Sequence, residues 1–214
     1  MAGVFLIGGG REDAQVRASH APFVAACAGG PIVAFALEDP ERWERALRLA
    51  GADDVRCLLE PPSAGDLDGA AGVFVGGGST PGYQEALAGW RVPAELPFGG
   101  FSAGAAVAAA RAIVGGWRLD GREVCAAEAG EDLDELAVRD GLGLVPFAVD
   151  VHATQWGTLT RLVHAVGAGL VDDGWAIDEG TVLVVDDGSV RAEGLGSAYR
   201  VAPRDGVVVV SVQP

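Results

Sequence analysis

Residues Pro97-Phe98-Gly99-Gly100-Phe101-Ser102-Ala103-Gly104-Ala105-Ala106-Val107-Ala108-Ala109-Ala110 decide the reading of this chain. A short apolar run ends at Phe101 and an alanine-rich run begins at Ala103, so Ser102 sits on the corner between a predicted strand and a predicted helix. Gly100 to Gly104 fit G-x-S-x-G, the strand–turn–helix corner that holds a serine hydroxyl exposed at the top of a sheet. The flanking glycines are needed because a side chain at either place would collide as the strand folds back into the helix. The N-terminus of the new helix offers free N–H groups and a positive dipole end to negative charge developing beside the serine. In a chain with 33 glycines, a plain small-residue turn is the competing explanation. The strand before and the helix after are the context the motif requires, and they make Ser102 the candidate nucleophile.

Outward from this corner, the chain alternates. Apolar runs at Val4–Ile7, Pro31–Leu37, Val55–Leu59, Ala71–Val75 and Pro97–Phe101 read as strands. Helices are predicted over Glu12–Ala28 and Glu41–Ala50, and from Ser79-Thr80-Pro81 to about Trp90. The runs are apolar throughout rather than alternating, which marks a parallel sheet covered on both faces. The fold expected is α/β in three layers, a mostly parallel sheet with helices on both faces. Residues 112–140 are less regular and strongly acidic. Leu144–Val151 reads as a further buried strand ending at His152, and Thr154–Val166 as a helix. From Ala176 onward, short strands and turns predict an antiparallel extension on the sheet edge, within a single domain spanning residues 1–214.

Composition narrows the chemistry. The formal charge is −15, from 15 basic and 30 acidic residues, so no basic stripe exists to neutralise nucleic-acid phosphates. There is no lysine, which removes a Schiff base, a Ser-Lys pair and a Walker phosphate loop. There is no asparagine, which removes a Cys-His-Asn triad. Cys27, Cys57 and Cys125 are odd in number and widely spaced, and read as reduced thiols of a cytoplasmic protein without a metal site. No segment reads as a signal peptide or a membrane span.

Ligands of open α/β sheets bind beyond the carboxyl ends of the strands. Gly8–Gly10, Gly76–Gly78, Ser102 and His152 all fall there. A serine needs a base, and three histidines exist. His20 is mid-helix and is expected at the surface, while His164 lies inside a helix. His152, between a strand and a helix, is the candidate base. Asp150 precedes it by two residues in the strand and could orient the ring. The N–H of Ala103 and a glycine of Gly76–Gly78 are the expected oxyanion donors. G-x-G-x-x-G is not met after Gly8, because position 13 is Asp13.

Three stretches together resemble peptidase family S51, which includes dipeptidase E and cyanophycinase. They are Val73-Phe-Val-Gly-Gly-Gly-Ser-Thr80, Gly100-Phe-Ser-Ala-Gly-Ala-Ala106, and Gly141-Leu-Gly-Leu144 with Val149-Asp-Val-His-Ala-Thr-Gln-Trp-Gly-Thr-Leu-Thr-Arg-Leu162. Ala176-Ile-Asp-Glu-Gly-Thr-Val-Leu183 looks like the segment that follows the histidine helix in that family. The resemblance implies a class I glutamine-amidotransferase-like fold and a Ser-His-acid triad, with Ser102 as nucleophile and His152 as base. The family's acid follows the serine by about fifteen to eighteen residues, which points to Asp120, with Glu128 as the alternative. Gly77, Gly78, Ala103, Thr80 and Gln155 complete the candidate oxyanion and substrate-binding set. Trp156 and Thr158 stand where cyanophycinases commonly carry arginines, which argues against cyanophycin as substrate.

The expected activity is hydrolysis of a small peptide, isopeptide or amide bond through an acyl-enzyme, with no metal or cofactor and no nucleic-acid or membrane partner. A homodimer is possible. Arg11, Arg118 and Arg161 are the candidates for holding a substrate carboxylate. A non-catalytic, small-ligand-binding member of the same fold is the rival reading. An α/β-hydrolase esterase is disfavoured because no histidine follows His164.

Overall fold

The computed structural model describes residues 2–214. Strand and helix alternate through the first half, as the apolar runs predict. β1 (Val4–Ile7) leads to α1 (Asp13–Ala26), β2 (Ile32–Phe35), α2 (Pro40–Leu49) and β3 (Val55–Leu58). Then come β4 (Gly72–Val75), α3 (Thr80–Ala86), β5 (Phe98–Phe101) and the single-turn α4 (Ala103–Ala106). Helix starts follow local chemistry. The Gln15 side-chain carbonyl accepts the N–H groups of Arg11 and Glu12 at the head of α1. Asp39 accepts from Arg42 N–H at the head of α2, with Pro40 in the first turn.

The irregular acidic region forms two small antiparallel pairs. β6 (Arg111–Gly115) pairs with β9 (Ala137–Asp140), and β7 (Arg118–Leu119) with β8 (Arg122–Glu123). β10 (Ala148–Val151), α5 (Thr158–Gly167) and β11 (Gly174–Ile177) make a parallel crossover unit. β12 (Thr181–Asp186), β13 (Ser189–Gly194), β14 (Ala198–Arg204) and β15 (Val207–Gln213) follow.

The larger sheet has seven strands in the order β13-β12-β1-β5-β4-β2-β3, of which β1 to β5 are mutually parallel. The antiparallel extension is present, but it is divided. β12 and β13 add to the larger sheet beside β1, whereas β14 and β15 join β10 and β11 in a four-stranded second sheet.

Both faces of the larger sheet are covered. Phe23, Val24, Trp43 and Leu47 from α1 and α2 pack on Phe5, Ile7 and Phe74 on one side. Tyr83, Ala103 and Ala105 from α3 and α4, with Val149, Val151, Trp175 and Ile177 of the second sheet, pack on Leu6, Val75 and Leu183 on the other. The second sheet alternates: Ala148 and Ala176 face Leu162, Ala165 and Val166 of α5 instead. Asp150 belongs to that outer set, which matters for the site.

His20 is fully buried, contrary to the surface position expected of it. It stacks on Phe74 and lies against Phe101. Its helix runs under the sheet, so a residue in mid-helix meets core. Burial drops its pKa to about 4.

Candidate active site

Ser102 lies directly after β5, with φ 50° and ψ −109°, a sparsely populated backbone state for a residue with a side chain. Its surroundings explain the glycines. A Cβ on Gly104 would run into the carbonyl oxygens of Val75 and Gly76, and one on Gly100 into Gly104. The Ser102 N–H donates to Ile7 O at 2.9 Å, which extends the β1–β5 ladder and fixes the corner. In the first turn of α4, Gly104 N–H donates to Gly76 O, and the N–H groups of Ala105 and Ala106 donate to Ser102 O. The Ala103 N–H, the first of the helix, has no acceptor within it. A Cβ on Gly77 would press on the Phe101 ring and carbonyl oxygen and on Ser102 Cβ.

His152 follows β10 with φ 56°, and its N–H donates to Gly8 O at 2.9 Å. The Gly8–Gly10 loop therefore receives His152. Gly9, at φ 125°, lies so close under the imidazole that a Cβ there would overlap the ring. This explains glycines after β1 without any nucleotide. His152 Nε2 is 2.9 Å from Ser102 Oγ, and Nδ1 is 2.8 Å from Glu179 Oε1. The carboxylate accepts the Nδ1 proton, which leaves Nε2 to accept from the serine hydroxyl. Trp156 lies flat on the same imidazole, ring centroids 4.0 Å apart and planes 9° from parallel. Burial holds the His152 pKa below its ordinary value, while the hydrogen bond and charge of Glu179, and Asp150 farther off, pull it up.

The carboxylate at the histidine is thus Glu179, in place of Asp120 or Glu128. Asp120 occupies the exposed turn between β7 and β8. Glu128 stands in a short 3-10 turn, residues 127–129, at the cleft rim, with no hydrogen bond to His152. The physical reason is register. β10 and β11 are parallel neighbours that pair Val151 with Ile177, so the residues after each strand emerge side by side. The signal was present in Asp178-Glu179-Gly180 after an apolar strand, but only strand pairing makes it readable. Asp178 anchors the turn. Its carboxylate accepts from Thr154 N–H and Oγ1 (3.0 and 2.6 Å), from Ser197 N–H and from the Tyr199 hydroxyl.

Two further expectations change. Asp150 does not orient the imidazole. It faces α5 and forms a two-point ion pair with Arg161 (Oδ2–Nε 2.9 Å, Oδ1–Nη2 2.7 Å), both residues buried. Arg161 also donates to the Gly116 and Ala129 carbonyls, so it holds the 116–130 segment and is unavailable to a substrate. Gln155 accepts the Glu179 N–H at 3.0 Å, and Thr80 donates its hydroxyl to Glu131 at 2.9 Å. Gln155 thus steadies the backbone at Glu179, and Thr80 the Glu131 carboxylate. Arg118 stacks on Trp117, away from the serine.

No family model matches the chain, and no curated protein sequence matches it. The chain shares its fold with a solved peptidase. That structure, described as a peptidase from an acI-B1 Actinobacterium, superposes with a TM-score of 0.62 over 98% of this chain and 94% of its own, at 16% identity. A likeness at that identity speaks for the fold.

Ser102, His152 and Glu179 open into a cleft of about 780 Å³ that Gly77 and Gly78 also line. Its lining carries both signs, with Arg11 and Arg42 among the acidic side chains of Glu12, Glu38, Asp39, Glu128 and Glu131. Arg42, which the sequence did not single out, lies over the Trp43 ring at 4.5 Å. Glu131 is raised above the usual carboxylate range, chiefly by burial. Among the described residues, no group of three or more His, Cys, Asp or Glu side chains is arranged to hold a metal ion. No helix there is long and apolar enough to cross a membrane.

Proposed function

We propose that this chain is a serine hydrolase that cleaves a small peptide or amide bond, the activity implied by its resemblance to dipeptidase E and cyanophycinase. One observation carries the reading: the unbroken hydrogen-bonded series Ser102 Oγ, His152 Nε2, His152 Nδ1, Glu179 Oε1, at 2.9 and 2.8 Å, on a strained corner facing a cleft.

In this reading, the neutral imidazole takes the Ser102 proton at Nε2 as Oγ attacks the substrate carbonyl. Glu179 holds the Nδ1–H tautomer and stabilises the imidazolium. The Ala103 N–H and a backbone N–H of Gly77 or Gly78 receive the oxyanion. His152 returns its proton to the departing amine, leaving an acyl-enzyme on Ser102. Water, deprotonated by the same nitrogen, releases the acid and restores the serine. The mixed charge of the walls suits a short substrate with charged ends.

The test is mass spectrometry after treatment with a serine-directed fluorophosphonate. A single adduct on Ser102, absent from Ser102→Ala and His152→Ala, is the expected result. Folded wild-type protein that takes no adduct overturns the hydrolase reading and leaves a ligand-binding protein of the same fold.

A further inference from the structure

The segment that follows His152 turns back on it. His152 has a left-handed backbone, Trp156 N–H donates to His152 O at 2.9 Å, and Gly157 is left-handed in turn. The result brings the indole flat against the imidazole, 4.0 Å between centroids and 9° between planes. Trp156 is nevertheless 44% exposed at the mouth of the cleft. A large aromatic left this open to water is not there for the core. One face of its ring lies against the histidine.

Two physical consequences follow from that contact. The imidazole can keep Nε2 on Ser102 and Nδ1 on Glu179 only if its plane is held, and an aromatic face on one side removes the freedom to rotate out of it. The face of an indole also carries negative quadrupole density, which attracts a cation above it. The ring becomes such a cation when it takes the serine proton.

We propose that Trp156 is a positioning residue for His152: its indole face fixes the imidazole plane and shares in stabilising the positive charge that forms on the ring. The proposal rests on the hydrolase reading for its catalytic meaning, but the interaction can be measured without turnover. The charged groups around the imidazole are Glu179 from the β11–β12 turn, Asp150 from β10, and Arg11 from the loop after β1. Glu179 and Asp150 favour the charged ring, and Arg11 opposes it. A substitution at Trp156 leaves all three of these charges in place.

The experiment is an NMR titration of the three histidines in wild type, Trp156→Phe, Trp156→Leu and Trp156→Met. Removing the indole would uncover the imidazole as well as take away its π-face, and these act in opposite directions on the pKa. Phe, Leu and Met cover similar area, and only Phe keeps a ring. The decisive comparison is therefore Phe against Leu and Met. The expected result is that His152 titrates about half a unit lower in the Leu and Met variants than in the Phe variant. The acid limb of fluorophosphonate labelling should move down by the same amount, and the pH-independent rate should fall roughly two- to fivefold in Leu and Met with partial rescue by Phe. Equal His152 titration in all three variants overturns the proposal. If wild type takes no fluorophosphonate while the titration still separates Phe from Leu and Met, the stacking assignment stands and the hydrolase reading falls.

Discussion

His152 and Glu179 emerge side by side from two neighbouring parallel strands, and the carboxylate meets the imidazole Nδ1 at 2.8 Å although the two residues lie 27 positions apart. Nothing local to either residue dictates this contact. It is created by the pairing of β10 with β11, and the Gly8–Gly10 loop seals it: Gly8 O accepts from His152 N–H and Gly9 O from Gly180 N–H.

Glu179→Gln is the direct check on that relationship. The amide keeps the shape but can present its NH₂ to Nδ1, which favours the wrong tautomer. The rate of fluorophosphonate labelling should drop roughly 1,000- to 10,000-fold. Asp120→Asn and Glu128→Gln should label at the wild-type rate. A wild-type rate in Glu179→Gln, or a collapse in Asp120→Asn, would return the acid to the 112–140 region.

The labelling rate should depend on pH with a defined sign. In the proposed mechanism the base is the neutral ring, so the rate rises with pH as His152 loses its proton. Burial lowers that pKa, so the midpoint should lie below 6.5. Glu179 opposes the shift through its hydrogen bond and its charge, so in Glu179→Gln the residual activity should have its midpoint at still lower pH. A midpoint above 6.5 in wild type would mean that the carboxylate outweighs burial.

His20 should make the fold sensitive to acid. Its pKa falls from 6.5 to about 4 on burial, so the unfolded chain binds a proton that the folded chain does not. Stability is then fully present above pH 6.5 and declines as pH falls towards 4, by roughly 3 kcal/mol from this one group. Urea denaturation at a series of pH values should show a shallower decline for His20→Phe, whose ring can occupy the stack on Phe74 and Phe101. Parallel curves for the two proteins would remove His20 as a cause.

Breaking the Asp150–Arg161 pair should destabilise the fold. Arg161→Leu leaves Asp150 charged and buried behind β10, which costs about 3–5 kcal/mol. Asp150→Asn with Arg161→Leu together should recover part of that loss, because the isolated charge is gone. Chemical denaturation reads both. A loss below about 1 kcal/mol in the single variant would mean that water reaches Asp150.

Periodicity and local geometry were enough for part of this molecule. Short unbroken apolar runs that alternate with helical segments mark strands covered on both faces, so β1, β2, β4 and β5 were legible as a parallel sheet. A serine between Gly100 and Gly104 at a strand–helix junction named its own corner, because the steric demand for glycine acts within a few residues. His152 was legible as a strand-end residue because it directly follows the apolar run Leu144–Val151.

The carboxylate, the fate of the arginines and the depth of His20 were decided by the tertiary structure. Each depends on which elements become neighbours: β11 beside β10 brings Glu179 to the ring, α5 behind β10 takes Arg161 for Asp150, and α1 under the sheet buries His20. A sequence states the chemistry a residue can perform. Register and packing, which are set over tens of residues, choose the partner it performs it with.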